Sequence, residues 1–284
     1  MNLLTKVRIV VLTNTRANQL ALVNKLSRVA KIAAVVFSNN IPRRKPSLSS
    51  RIRLFSNSAA GRLAARELRD TWIEVRSRYA EDYPGRPIDQ IVYVRNVNDE
   101  ASIRTITDHQ PDLVVVSGTN IVGSRVIAAS QATGGIINLH TGISPYVKGG
   151  PNCTNWCLAK TWFHLIGNTV MWLDKGVDTG DIIATEQTLL NGHESLFDLH
   201  WKVMEHAQDL YVRVVDRIGQ GKQIRSVQQR SIAEGVEFRT VDWNVFEMRR
   251  ALRNFRVEFK HYFTDKDRLR RDTESINLVP LTDA

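Results

Sequence analysis

The chain has 284 residues, 43% of them hydrophobic, which is enough to bury the core of one large domain or of a domain with a small appendage. No stretch approaches the roughly 20 apolar residues of a membrane span, and the first residues lack the apolar core of a signal peptide. These features exclude a disordered or membrane-embedded chain, and they predict a soluble, cytoplasmic, globular protein.

The cysteines and histidines do not form a metal-binding pattern. Cys153 and Cys157 are separated by three residues, which fits neither a disulfide framework nor a four-ligand metal site. The histidines other than His140 are scattered along the sequence without metal-ligand spacing. We therefore expect two buried thiols and no bound metal.

The formal net charge of +10 predicts a surface that attracts anions. The sequence disfavours nucleic acid as a partner, because aromatic residues are not interleaved with the charges and no zinc-finger or RNA-recognition signature is present. Two explanations of the positive charge remain open: the charges lie on solvated helix faces, or they bind a phosphorylated or nucleotide-linked ligand. The main charges before residue 80 are Arg43, Arg44, Lys45, Arg51, Arg53, Arg62, Arg66, Arg69, Arg76 and Arg78, and a second set spans residues 249–271.

The N-terminal half has the pattern of a doubly wound parallel sheet. Residues 7–12 and 32–37 are continuous apolar runs on either side of a segment, 18–29, whose apolar residues recur at helical spacing. Residues 113–117 and 135–139 have the same strand-like character. Strands that are apolar on both faces indicate a parallel sheet covered by helices, so the predicted fold class is α/β.

A basic insertion at about residues 41–90 interrupts this pattern. It contains a predicted helix over 59–79, in which Leu63, Leu68, Trp72 and Val75 could form one buried stripe.

Further strands are predicted at 169–173 and 182–189. A strongly amphipathic helix follows, with Ser195 as its N-cap, and ends at Gly219. We predict a main domain over 1–222 and a short C-terminal extension over 223–284.

Two polar motifs follow predicted strands. The N-x-H of Asn138 and His140 ends a buried strand, so both side chains should lie at the carboxyl edge of the sheet, where open α/β folds bind ligands. The loop D-K-G-V-D-T-G-D at 174–181 lies between two strands and could bring a carboxylate back to the histidine. A functional site is therefore expected at this edge.

Three patterns in this region resemble the folate-dependent formyltransferases. This family includes glycinamide ribonucleotide formyltransferase, the catalytic domain of methionyl-tRNA formyltransferase, and the nucleotide-sugar N-formyltransferases. Its N-x-H matches Asn138 and His140, its S/L-P-x-x-x-G matches Ser144, Pro145 and Gly149, and its D-x-G-x-D-T-G-x-I matches Asp174, Gly176, Asp178, Thr179, Gly180 and Ile182. The resemblance implies a Rossmann-like formyltransferase fold with a small C-terminal appendage.

The resemblance also implies residue roles. Asn138, His140 and Asp178 would catalyse formyl transfer from 10-formyltetrahydrofolate to an amine, without a metal. The amide of Asn138 and the imidazolium of His140 suit stabilisation of an oxyanion, and Asp178 suits acceptance of a proton. The residues implied for folate binding are Gly118, Asn120, Ile121, Val122, Asp174, Gly176 and Thr179.

Differences between this sequence and the better-known members of the family narrow the choice of acceptor amine. The loop after the first strand lacks the glycines of a phosphate cradle, which disfavours glycinamide ribonucleotide. The C-terminal extension is too short to form the barrel domain with which methionyl-tRNA formyltransferase binds tRNA, which disfavours tRNA as the acceptor. The H-x-G-x-S-P-Y pattern from His140 is most similar to the nucleotide-sugar N-formyltransferases, and implies Arg16, Asn18, Ser144, Tyr146 and Lys148 as substrate-binding residues.

Alternatives to this acceptor remain. Hydroxyornithine or another biosynthetic amine could be formylated instead. The partner is expected to be a small anionic or nucleotide-linked amine, and a homodimer is compatible with the family. A protein of a different class, an inactive homologue that binds nucleic acid, would bind with a steep salt dependence and transfer no formyl group.

Overall fold

The computed structural model describes residues 6–39, 59–85, 88–150, 152–174 and 179–283. Its centre is a seven-stranded sheet with strand order β3-β2-β1-β4-β5-β7-β8, and β6 and β9 form a separate parallel pair. The strands are β1 (Arg8–Thr13), β2 (Lys31–Ser38), β3 (Ile91–Val94), β4 (Leu113–Val116), β5 (Ile136–His140), β6 (Val147–Gly149), β7 (Gly167–Trp172), β8 (Ile182–Gln187) and β9 (Val236–Phe238).

Helices cover both faces of the sheet. They are α1 (Ala17–Val29), α2 (Ala59–Asp82), α3 (Glu100–His109), α4 (Ser124–Gln131), α5 (Cys153–Lys160), α6 (Leu196–Gly219), α7 (Val245–Val257), α8 (Phe259–Thr264) and α9 (Lys266–Glu274). Alternate residues of β1 face opposite cores: Val11 packs with residues of α1 and α6, and Val10 packs with residues of α3 and α4. The predicted doubly wound α/β fold is confirmed.

The sheet is parallel from β3 to β5, whereas β7 and β8 run antiparallel to their neighbours. Chain connections from β1 lead first to β2 on one side and later to β4 on the other. This reversal opens a crevice at the carboxyl ends of β1 and β4, where doubly wound sheets bind ligands.

The C-terminal segment packs against the main sheet domain. Helix α7 contacts α2 and α5, and β9 pairs with β6. The side-chain amide of Asn254 donates to the carbonyls of Leu158 and Ala159, each at 3.0 Å, and so satisfies the last turn of α5. Phe259 is fully buried against Phe163, which gives the segment and the domain a shared apolar core.

Two sequence predictions about helices can be compared with the structure. Ser195 and Asp198 form the reciprocal hydrogen bonds of a capping box, so the predicted start of α6 is confirmed. In α2, Leu68 and Val75 are buried, but Leu63 is 66% exposed, so its place in the buried stripe was wrong. Much of the basic insertion, at 40–58 and 86–87, lies outside the described residues.

Cys153 and Cys157 are buried free thiols, as expected from the sequence. Within the described ranges, no helix combines the length and the apolar character needed to cross a membrane.

The pH dependence of stability should report the burial of His200. This ring is 1% exposed, lies 5.1 Å from the ring of Trp72, and has its pKa lowered to about 4 by burial. The unfolded chain takes up the proton near pH 6.5, so the stabilisation is complete above that pH and is lost as the pH falls toward 4. His200→Phe should flatten this part of the curve, as measured by urea denaturation at several pH values. An unchanged slope would contradict the assignment.

Candidate active site

A cleft of about 1180 Å³ lies at the carboxyl edge of the sheet, where the strand order reverses. The ends of β4 and β5 form its floor. The start of α1 and one face of α2 form one wall, and the segments at 171–174 and 237–243 lie on other sides. Helices and loops that are far apart in the sequence thus meet at the strand ends. The cleft is large enough for more than one small-molecule ligand.

Asn138 and His140 both line this cleft. They are two residues apart on β5, so the alternation of a strand puts their side chains on the same face. His140 is 8% exposed, and its Nε2 lies 3.1 Å from the carbonyl oxygen of Val147. Because a carbonyl can only accept, Nε2 carries the proton of this bond. The ring is therefore held in a defined orientation.

The loop after β5 is packed tightly beneath His140. A Cβ at Gly142 would lie 2.7 Å from Nε2 of His140 and 2.8 Å from Cβ of Cys153. The hydroxyl of Thr169, on the neighbouring β7, donates to the carbonyl of Gly142 at 2.6 Å and accepts from the amide of Ser144 at 2.9 Å. Thus β7 fixes the loop, and the loop in turn fixes the histidine.

Asp178 and Gly176 lie outside the described residues, so their positions stay predictions. The residues that flank them, Asp174 and Thr179, line the cleft and are joined by a hydrogen bond from the threonine hydroxyl to the carboxylate. The side chain of Gln229 donates to the carbonyl of Gly180 at 2.8 Å. Both ends of the acidic loop are therefore anchored at the cleft.

The segment Gly118–Val122, predicted to bind folate, forms part of the cleft wall. Gly118 has a φ of +71°, and a Cβ there would meet the side chain of Gln19 at 2.8 Å, so glycine suits this position. The amide of Asn14 donates to the carbonyl of Gly118 at 2.6 Å, and that of Asn98 donates to the carbonyl of Ile121 at 2.8 Å. These bonds hold the segment's backbone in place from both ends.

The structure divides the predicted substrate-binding residues into two groups. Arg16 and Asn18 line the cleft. Ser144, Tyr146 and Lys148 are not among the described residues that line it: Ser144 is fully buried, the Tyr146 hydroxyl accepts from the amide of Asn277 at 2.7 Å, and Lys148 lies in β6. Ser144 and Tyr146 thus have structural contacts, and substrate binding by the three residues stays a prediction.

Sequence reasoning missed one wall of the cleft. It is formed by residues at helical spacing along α2: Ala65, Leu68, Arg69, Trp72 and Arg76. Their spacing of three and four residues was the available signal, because it places two arginines and a tryptophan on a single face. Asn155 and Cys153 of α5 also line the cleft and were not predicted to do so.

Among the described residues, no three or more His, Cys, Asp or Glu side chains lie together in a way that could hold a metal ion.

The packing beneath His140 yields a stability test. Gly142→Ala should destabilise the fold by about 1–3 kcal/mol, because the new methyl group overlaps His140 and Cys153. It should also shift the NMR resonances of the His140 ring. Gly85→Ala is the matched control, since a Cβ at Gly85 would meet no atom within 4 Å. Equal unfolding free energies for the two variants would rule out the tight packing.

The chain has relatives among formyl-transferring enzymes. It is 28% identical over 138 residues to the methionyl-tRNA formyltransferase of Methylacidiphilum infernorum (isolate V4), a match that covers 49% of this chain and 42% of that protein. It is 29% identical over 126 residues to the methionyl-tRNA formyltransferase of Clostridium perfringens (strain SM101 / Type A), covering 44% and 40%. The chain thus spans less than half the length of the relatives it matches.

Solved structures share the fold. A sugar N-formyltransferase from Shewanella sp FDAARGOS_354 superposes with a TM-score of 0.54 at 13% identity, over 87% of this chain and 88% of that one. A 4-N formyltransferase from Francisella tularensis gives a TM-score of 0.52 at 18% identity, over 84% and 78%. A family model described as formyl transferase matches residues 7–215, which include β1 to β8 and most of α6. Because this match covers well over half of the sequence, the chain belongs to the formyl transferase family.

Proposed function

We propose that this protein transfers the formyl group of 10-formyltetrahydrofolate to a primary amine. The observation that carries the proposal is the joint placement of Asn138 and His140 at the end of β5, on one face of a cleft that also contains the segment Gly118–Val122. Family membership supports the same reaction type.

The residue chemistry suits amine attack on a formyl carbon. As the nitrogen attacks, the carbonyl oxygen becomes negative, and donors aimed at that oxygen lower the barrier. The amide of Asn138 is one such donor, and the ring of His140, held by the carbonyl of Val147, is the second. The intermediate then loses N10 of tetrahydrofolate, which takes up a proton as its bond to the formyl carbon breaks, so no protein nucleophile is needed. Catalysis then depends on holding two substrates together and on stabilising the oxyanion.

Asp178 is proposed to support the charged imidazole of His140 and to accept a proton from the attacking amine, directly or through water. The anchoring of Asp174, Thr179 and Gly180 at the cleft supports this role, because Asp178 directly precedes Thr179 in the sequence.

The cleft wall fits a folate donor. The backbone between Gly118 and Val122 is held by Asn14 and Asn98, so its peptide groups are fixed before a ligand arrives. A fixed row of backbone donors and acceptors suits the flat, hydrogen-bonding ring of a pterin. Asp174 and Thr179 are proposed to line the same part of the site. Gly176 keeps the role that the motif implies.

For the acceptor, we infer an amino group on a nucleotide-linked sugar. Arg16 and Asn18 of the cleft favour an anionic small molecule, and the Shewanella and Francisella proteins that share the fold are described as sugar N- and 4-N formyltransferases. Methionyl-tRNA is the competing acceptor suggested by the sequence relatives, although the matched part covers only 42% of the first of them. Hydroxyornithine and glycinamide ribonucleotide complete the panel of acceptors to be assayed.

Alanine variants of the two donors test the mechanism. His140→Ala and Asn138→Ala should each lower turnover by about 100- to 1000-fold, because each removes a donor to the developing oxyanion. Asp178→Asn should lower turnover and change the shape of the pH profile. Release of tetrahydrofolate from 10-formyltetrahydrofolate with a verified acceptor gives the rate.

The exposed His193 provides a control, since His193→Ala removes an imidazole away from the cleft and should leave turnover unchanged. Binding of 5-formyltetrahydrofolate, measured by calorimetry, should survive in all the variants. Near wild-type turnover by His140→Ala would refute the mechanism, and absence of folate binding by the wild type would refute the function.

A further inference from the structure

The C-terminal segment contributes one side of the cleft. Residues 237–240, Trp243 and Met248 line it, although all of them lie beyond residue 215, where the match to the family model ends. This side of the cleft is therefore built by residues outside the matched formyl transferase region. Its chemistry bears on what this particular cleft accepts.

The same segment is tied to the strand that holds His140. Val147, whose carbonyl accepts from that ring, begins β6, and β6 pairs in parallel with β9. The amide of Gly150 donates to the carbonyl of Phe238 at 2.9 Å. Gly149 has a φ of +83°, and a Cβ there would overlap that carbonyl, so a side chain would force the two strands apart. The C-terminal segment is thus fixed against the loop of the site.

An aromatic cluster holds Trp243 in a defined orientation. The ring of Trp156 stacks on that of Phe238 with 4.3 Å between the centroids, and it meets Trp243 edge-on at 4.8 Å. The indole N–H of Trp156 donates to the carbonyl of Gly150 at 3.1 Å, which fixes the centre of the cluster. Trp243 is only partly buried, lines the cleft, and makes no side-chain hydrogen bond to any residue that the structure describes. It therefore offers the cleft a rigid apolar surface and one N–H donor.

Asn155 of α5 adds a polar group to the cleft. It is only 5% exposed and lines the cleft, and its side-chain oxygen has no hydrogen-bond partner among the described residues. A buried polar atom without a partner is costly, so a ligand that supplies one is stabilised. Rotation about the Cβ–Cγ bond exchanges the oxygen and the NH₂ group, so this amide can meet a ligand hydroxyl either as acceptor or as donor.

The helix that carries Asn155 lies next to the reacting centre. Cys153, two residues earlier in α5, also lines the cleft, and its Sγ lies 3.4 Å from Nε2 of His140. The group that carries the attacking nitrogen is bonded to it directly and so must lie close to His140 during transfer. Because the folate is proposed to bind the segment Gly118–Val122, the side of the cleft formed by α5 and the C-terminal segment is left for the acceptor.

We propose that Trp243 and Asn155 form the surface that binds the ring carrying the acceptor amine, and that this ring is a hydroxylated sugar. The inference rests on the proposed function and specifies how its acceptor is recognised. The C–H face of a pyranose is apolar and can lie flat on the indole, while its hydroxyl groups hydrogen-bond to the amide of Asn155 and to the indole N–H. A linear amine such as hydroxyornithine offers no such face. The C-terminal segment thus takes part in acceptor selection.

Calorimetric titration of the full chain with uridine diphosphate glucosamine and with uridine diphosphate alone isolates the contribution of the sugar ring. The wild type should bind the sugar-linked compound about tenfold more tightly. Trp243→Leu and Asn155→Leu should each reduce this ratio about threefold or more, because one removes the aromatic face and the other the hydrogen-bonding amide. Affinity for uridine diphosphate alone should be retained in both variants, which also shows that they are folded.

Trp162→Leu is the matched control, because the Trp162 ring lies 6.1 Å from that of Phe238, in the same aromatic cluster, but does not line the cleft. It should leave the ratio unchanged. An equal loss in Trp162→Leu, a wild-type ratio in both cleft variants, or no preference of the wild type for the sugar-linked compound would overturn the proposal.

Formyl transfer is assayed separately, so the two proposals can fail independently. A wild type that binds the sugar ring through Trp243 but transfers no formyl group to any acceptor would refute the proposed function and leave the sugar surface standing. Formyl transfer to hydroxyornithine, without a preference for the sugar-linked compound, would keep the reaction and refute the sugar surface.

Discussion

The hydrogen bond between His140 and the carbonyl of Val147 is the contact on which the site depends. It joins the last residue of β5 to a residue seven positions later, so the intervening loop must fold back beneath the ring. That return path leaves no space for a side chain at Gly142, and it needs the hydroxyl of Thr169 to satisfy two backbone groups of the loop. The orientation of one imidazole is therefore set by two strands and by the loop that follows β5.

A second contact, centred on Glu205, fixes the position of α2 at the wall of the cleft. Glu205 takes hydrogen bonds from Tyr79 and Lys25, and burial together with the nearby carboxylate raises the pKa of the Tyr79 hydroxyl well above its usual value. The phenol thus remains a donor at any physiological pH. Because α2 is held in this way, Trp72 and Arg76 line the cleft.

The sequence predicted the parts of the site that follow from local periodicity. Strand alternation alone places Asn138 and His140 on one face, and apolar runs identify β1, β2, β4 and β5. Periodicity could not separate a buried face of α2 from one that borders a cleft, so Trp72 was assigned to a core stripe together with the exposed Leu63. A sequence motif also does not indicate where each side chain points. Ser144 and Tyr146 follow His140 closely in the sequence, yet Ser144 is buried and the hydroxyl of Tyr146 accepts a hydrogen bond from the amide of Asn277.

The distribution of ion pairs along α2 reduces the field at the surface of a chain with a net charge of +10. On the outer side of α2, Arg66 and Arg78 pair with acidic residues one turn away, and Glu67 pairs with Arg256 of α7. Such exposed pairs add little stability, but they reduce the field that a long nucleic acid would meet. Arg16 and Arg76 line the cleft, and neither pairs with a carboxylate within 4 Å among the described residues, so their charge is not reduced in this way.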